Sequence, residues 1–134
     1  MSALPQIVAV DGRHRLLVDG QPFLILGLQW ACESCFSAEE MNPLFAQARR
    51  LGANTAVTPL YWREVEPQPD RYDFSMLDER IAQCRANGLR LALRWFATWK
   101  NAHAFYAPDY IVNQPDTYPV ALDRAGVRLI SLCP

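Results

Sequence analysis

Three apolar runs recur along this chain at an interval that leaves few folds open. They are Phe23–Gln29 (F-L-I-L-G-L-Q), Asn54–Leu60 (N-T-A-V-T-P-L) and Leu89–Phe96 (L-R-L-A-L-R-W-F). They start near residues 23, 54 and 90, so the intervals are about 31 and 36 residues, the size of a βαβ unit. The first run shows no alternation of polar and apolar residues, which is how a strand buried on both faces of a parallel sheet reads. Consecutive βα units imply right-handed crossovers. The expected fold class is α/β, and 134 residues suit one domain.

Between the runs the period changes to that of a helix. Ser37-Ala38-Glu39-Glu40 matches a capping box, and Phe36 with Met41 would form its hydrophobic staple. Met41, Leu44, Phe45, Ala48 and Leu51 then recur at helical spacing, and Gly52 ends the segment. Asn42 as cap with Pro43 in the first turn is an equally good start. A short first turn before Pro43 would reconcile the two. In the second interval Asp73 or Ser75 caps a helix. Leu77, Ile81 and Cys84 face inward, and Asn87-Gly88 stops it. Pro59 is expected at the end of its strand, where a missing N–H is tolerated.

Ahead of the first run, Asp19-Gly20 between two apolar stretches signals a hairpin turn, so residues 6–22 are read as a β-hairpin. After residue 97 no strong period remains. Tyr106–Ile111 allows one helical turn, and Arg124–Val127 allows a turn between two short extended pieces.

Net charge is −1, from 13 basic and 14 acidic residues, without the basic excess of a nucleic-acid binder. No run of about 18 apolar residues is present, so no transmembrane helix is expected. The opening M-S-A-L-P-Q-I-V-A-V lacks a basic stretch followed by a long apolar core, so a cytoplasmic product is expected. Cys32 and Cys35 form a C-x-x-C pair that reads as free loop thiols, a redox pair or half a zinc site. The two histidines, His14 and His103, are too scattered to complete such a site. No metal or cofactor is expected.

In parallel α/β folds chemistry collects at the carboxyl ends of the strands. The segments there carry Trp30 and Glu33, then Tyr61, Trp62, Arg63, Glu64 and Glu66, then Thr98, Trp99, Lys100, Asn101 and His103. Aromatic faces stack on the apolar face of a pyranose, while charged groups take its hydroxyls. The same Trp residues can instead be packing, Glu64 and Glu66 can be solvated loop charges, and His103 can be surface. Arg94 interrupts an apolar strand and must be paired if it is buried.

Two segments carry a family resemblance. Trp62–Asp78 (W-R-E-V-E-P-Q-P-D-R-Y-D-F-S-M-L-D) and Gly88–Asn101 (G-L-R-L-A-L-R-W-F-A-T-W-K-N) resemble the amino-terminal part of a β-galactosidase-like glycoside hydrolase of the (β/α)8 retaining clan, near families 42 and 35. Val18–Gly27 and Tyr106–Pro119 are similar to the flanking parts of those enzymes. Ala31–Cys35 departs from the polar His-Asn-Ser type of segment that relatives carry. The resemblance implies a partial (β/α)8 TIM barrel: the first three βα units over 23–134, preceded by the hairpin. A complete barrel needs about 250 residues.

It also implies hydrolysis of O-glycosidic bonds with retention, by two glutamates about 5.5 Å apart. The family holds these after the fourth and seventh strands, so none of this chain's residues is assigned as catalytic. Glu64 and Glu66, on the second loop, are not those groups; Glu66 is expected to brace its loop, with an Arg as one candidate partner. Arg94, Trp99, Lys100, Asn101, Trp62 and Glu64 are the implied substrate contacts. The implied partner is a β-galactoside-type carbohydrate, and homo-oligomerisation is left to the full-length protein. A non-catalytic carbohydrate-binding or scaffold module, or a redox protein using Cys32 and Cys35, would be the other classes.

Overall fold

A computed structural model describes residues 4–30, 37–98 and 106–132. The chain opens with β1 (Gln6–Val10), β2 (Arg13–Val18) and β3 (Gln21–Pro22), then β4 (Gly27–Gln29) and helix α1 (Ala38–Arg50). Next come β5 (Thr55–Tyr61), the short α2 (Trp62–Val65), α3 (Ser75–Ala86) and β6 (Arg90–Phe96). Last come α4 (Asp109–Val112), β7 (Val120–Leu122) and β8 (Arg128–Leu132).

The βα rhythm becomes a parallel sheet in the order β4-β5-β6. The entrance is a three-stranded antiparallel meander, β1-β2-β3, rather than a single hairpin. It turns twice. Asp11-Gly12 and Asp19-Gly20 both place their two residues at positive φ, as a type I′ turn requires. An exposed Arg90–Asp19 ion pair ties the meander to β6.

The first apolar run is only partly a strand. Gly27–Gln29 alone joins the ladder, opposite Thr55–Val57, and Leu24, Ile25 and Leu26 are exposed. Asn54 explains the early segment. Its side-chain oxygen accepts from Leu26 N at 2.9 Å and its amide donates to Leu24 O at 2.7 Å. The backbone here is thus held partly by one side chain, while Leu26 O also accepts from Asn54 N at 3.0 Å. Among the described strands β4 lies at the edge, so the double burial expected of the run does not arise.

Pro59 also differs from expectation. It is fifth of seven residues in β5, inside the strand. It pairs in register with Arg94 of β6 but lies beyond the last β4 pair, Gln29↔Val57. On that side no ladder bond is forfeited by the missing N–H.

Both helices cover one face of the sheet. Ser37 is the N-cap of α1, its Oγ accepting from Glu40 N at 3.2 Å, and Pro43 is carried inside the helix a turn later. The staple partner Phe36 lies outside the described residues. Met41, Phe45 and Ala48 are buried with Ala53, Ala56, Cys84 and Leu89 in the core, and Leu44 packs against it. Leu51, one place past the helix, is exposed. Gly52 follows at φ 86, the left-handed conformation that ends many helices.

At α3 Phe74 holds the cap position without a side-chain bond, while Asp73 Oδ1 accepts from Ser75 N at 2.8 Å. Gln83 reaches from α3 to Ala38 O of α1 at 2.9 Å. Cys84 is core, and burial pushes its thiol up to about 11, so it is inert packing.

Candidate functional site

Among the described residues, the carboxyl ends of β5 and β6 bring together aromatic rings, arginines and glutamates. Strand alternation places Tyr61 and Phe96, which are register partners, on the sheet face away from the helices. Tyr106, returning after the third loop, stacks on both. The ring centroids are 4.7 Å apart for Tyr61–Tyr106, 5.2 Å for Phe96–Tyr106 and 6.2 Å for Tyr61–Phe96. Tyr61 and Tyr106 are buried and Phe96 packs against them, so the trio forms a small core of its own.

Two arginines flank this stack. The Arg63 guanidinium sits 5.6 Å from the Tyr61 ring and 5.7 Å from Tyr106, within cation–π range. Its backbone N–H donates to Tyr106 O at 3.0 Å, clamping the third loop onto the start of α2. Arg94 lies 5.3 Å over Phe96 and donates to Trp30 O at 3.0 Å, so it ties β6 to the end of β4. The sequence required a partner for this arginine, and here a carbonyl and a ring supply it.

The described tryptophans take separate places. Trp30 packs edge-on against Phe45 of α1 at 5.6 Å. Trp95 shares its face of β6 with Leu91, which packs on the helix-side core, and is exposed there. Trp62 stands in α2, half-buried, with its indole N–H donating to Glu66 Oε2 at 2.7 Å. Trp99, Lys100, Asn101 and His103, with Glu33, Cys32 and Cys35 of the first loop, lie outside the described residues.

Glu64 turns inward. Its carboxylate meets Arg80 of α3 at 3.4 Å, with 19% of the Glu64 side chain and none of the Arg80 side chain exposed. Arg80 also donates to Pro59 O at 2.8 Å. Burial raises the Glu64 carboxyl above its ordinary range, although Arg80, the Tyr61 backbone and Arg63 all pull it down. At 3.4 Å the attraction falls short of the desolvation cost. Sequence reasoning passed over Arg80, yet a signal was present: it lies three residues after Leu77 and four before Cys84, on the inward stripe.

Glu66 turns outward and collects donors. Besides Trp62, it accepts from Asp70 N at 3.2 Å and from the Tyr110 hydroxyl of α4. These bonds, the indole's first, hold its carboxyl below the usual range. Tyr110 is correspondingly pushed up to about 12, by desolvation and then by Glu66. Glu66 does brace its loop; among the described residues its partners are an indole, an amide and a phenol, with no arginine. Asp70 is at φ 58 in the turn that closes Gln68 against Arg71. No group of three or more metal-ligating side chains gathers among the described residues.

With this geometry in hand, comparison with known proteins decides the lineage. The family model for beta-galactosidase, glycoside hydrolase family 42, matches residues 34–110, more than half of the chain. The chain belongs to glycoside hydrolase family 42. The family 42 match takes in both helices of the sheet, the aromatic stack and both loop glutamates. Among solved structures, the exo-beta-1,4-mannosidase Op5Man5 from Opitutaceae bacterium strain TAV5 is similar, with a TM-score of 0.55 at 24% identity. The likeness covers 66% of this chain and 17% of that one, and at this identity it speaks for the fold alone. No curated protein matches the chain. No described helix is long and apolar enough to cross a membrane.

Proposed function

We propose that this chain forms the first three βα units of a (β/α)8 barrel, residues 23–134, in a retaining glycosidase that hydrolyses β-galactosides. The family 42 match over 34–110 carries the reading. The parallel β4-β5-β6 sheet, with its aromatic and arginine groups gathered at one end, supports it. On this reading the barrel's carboxyl end binds the sugar. Trp62 offers a ring face, and Arg94, Trp99, Lys100 and Asn101 offer further contacts around it. Glu64 adds a contact from the turn that carries Trp62, its carboxylate held in place by Arg80. The acid/base and nucleophile glutamates belong to later strands. A cytoplasmic location and homo-oligomer assembly of the full-length protein complete the proposal.

The test is hydrolysis of 4-nitrophenyl β-galactoside by the full-length gene product, followed by proton NMR of the released sugar. Turnover with the β-anomer appearing first is the expected outcome. The α-anomer appearing first would exclude retention. Turnover of the aryl β-mannoside with none of the galactoside would exclude the sugar assignment.

A further inference from the structure

The second loop carries a three-way junction whose partners come from two separate parts of the chain. Glu66 Oε2 accepts the Trp62 indole N–H and Oε1 accepts Asp70 N, both within the loop after β5. The third donor, the Tyr110 hydroxyl, comes from α4, which follows β6, and the chain leading into α4 is tied to the same loop where Arg63 N donates to Tyr106 O at 3.0 Å. Tyr110 in turn meets Tyr118 edge-on at 6.1 Å, so the junction continues into the segment before β7.

A carboxylate offers about four acceptor positions, and this one spends at least three on protein donors. Two consequences follow. The only hydrogen-bond donor on the indole is consumed inside the protein, so Trp62 can address a ligand solely through its ring face. The plane of that ring is held by a bond that also depends on α4.

We propose that Glu66 is a positioning residue: it fixes the Trp62 ring for stacking on substrate and couples the loop after β5 to α4. The orienting part rests on the reading of Trp62 as a substrate contact given above; the coupling part does not. Misplacing a contact by about an ångström can cost up to about a hundredfold. Loss of one stacking orientation should fall below that limit and act on binding before chemistry.

The experiment uses the full-length protein and has two arms. In the kinetic arm, Glu66→Ala should raise KM for the aryl galactoside about tenfold with kcat held within about threefold. Glu66→Gln keeps one acceptor oxygen and should restore part of that loss. A fall in kcat with KM unmoved would overturn the orienting role, as would equal damage from Ala and Gln. In the exchange arm, Glu66→Ala and Tyr110→Phe should each speed amide hydrogen exchange both in 62–73 and in 109–118. Faster exchange confined to the mutated segment would overturn the coupling. If wild-type protein hydrolyses no galactoside, the substrate reading fails while the exchange arm still decides the coupling.

Discussion

Glu64 and Glu66 stand two residues apart and meet opposite surroundings. Residues at this spacing on a helical turn do not face one another. One carboxylate goes inward, to a buried arginine and a long ion pair. The other goes outward, to three hydrogen-bond donors. The first is ionised at a cost, with its carboxyl raised by burial; the second is ionised with help, its carboxyl lowered by the groups that donate to it. A carboxylate pair in a loop of a family 42 chain invites a catalytic assignment. Here each member already has an occupation, and the difference lies in the partners that α3 and α4 bring.

The largest expected effect tests the inner side. Arg80→Ala would leave Glu64 half-buried without its partner and Pro59 O without its donor. Truncating one partner of a buried ion pair costs about 3–5 kcal/mol, and denaturant unfolding of the full-length protein would measure it. A loss below about 1 kcal/mol would show the inner pair to be dispensable. Glu64→Gln keeps the shape and removes a charge that burial disfavours, so with Arg80 still held by Pro59 O it should cost less than about 1 kcal/mol.

The pH dependence should separate the two glutamates by sign. Glu66 has a lowered folded-state pKa. Its contribution is therefore present above the unfolded carboxyl range and is lost as pH falls through the folded value. The stability gap between wild type and Glu66→Gln should shrink on acidification from neutrality. Glu64 has a raised pKa, so ionising it costs the folded state above that value, and the cost disappears as pH falls through it. Wild type should gain on Glu64→Gln over the same titration. Thermal melting of both variants from neutral pH down to the carboxyl range checks this, and parallel curves would erase the contrast.

The smallest effect sharpens the outer side. Asp70 sits at φ 58, a region Asp tolerates better than Ala. Asp70→Ala should cost about 1 kcal/mol, while Asp70→Gly should be close to neutral. Equal losses would place the turn's value in the Asp side chain rather than in its backbone.

Much of the fold was legible because it rests on local periodicity. The recurrence of apolar runs near 23, 54 and 90 became β4, β5 and β6, and Ser37 caps α1 by accepting from Glu40 N. What was missed depended on distant partners or on position in the sheet. The run at Phe23 could not announce that Asn54 would satisfy its backbone. Asp11-Gly12 carries the same turn dipeptide as Asp19-Gly20, and both turn. Arg80 was readable from its spacing, but a charged residue on an apolar stripe is easily taken for the solvent side. The bond from Tyr110 to Glu66 joins residues 44 positions apart in the chain, and no local pattern encodes it. Arg94 was readable as needing a partner, though not as reaching the Trp30 carbonyl.

The central claim is that this loop supports a sugar site while the chemistry belongs to other glutamates. It is tested most directly by kcat of the full-length enzyme on an aryl β-galactoside, comparing wild type with Glu64→Gln and Glu66→Gln. Both variants should keep kcat within about tenfold, since neither carboxyl group transfers a proton or attacks the sugar. A loss of about a thousandfold or more in either would mark it as a catalytic acid, base or nucleophile and contradict the account.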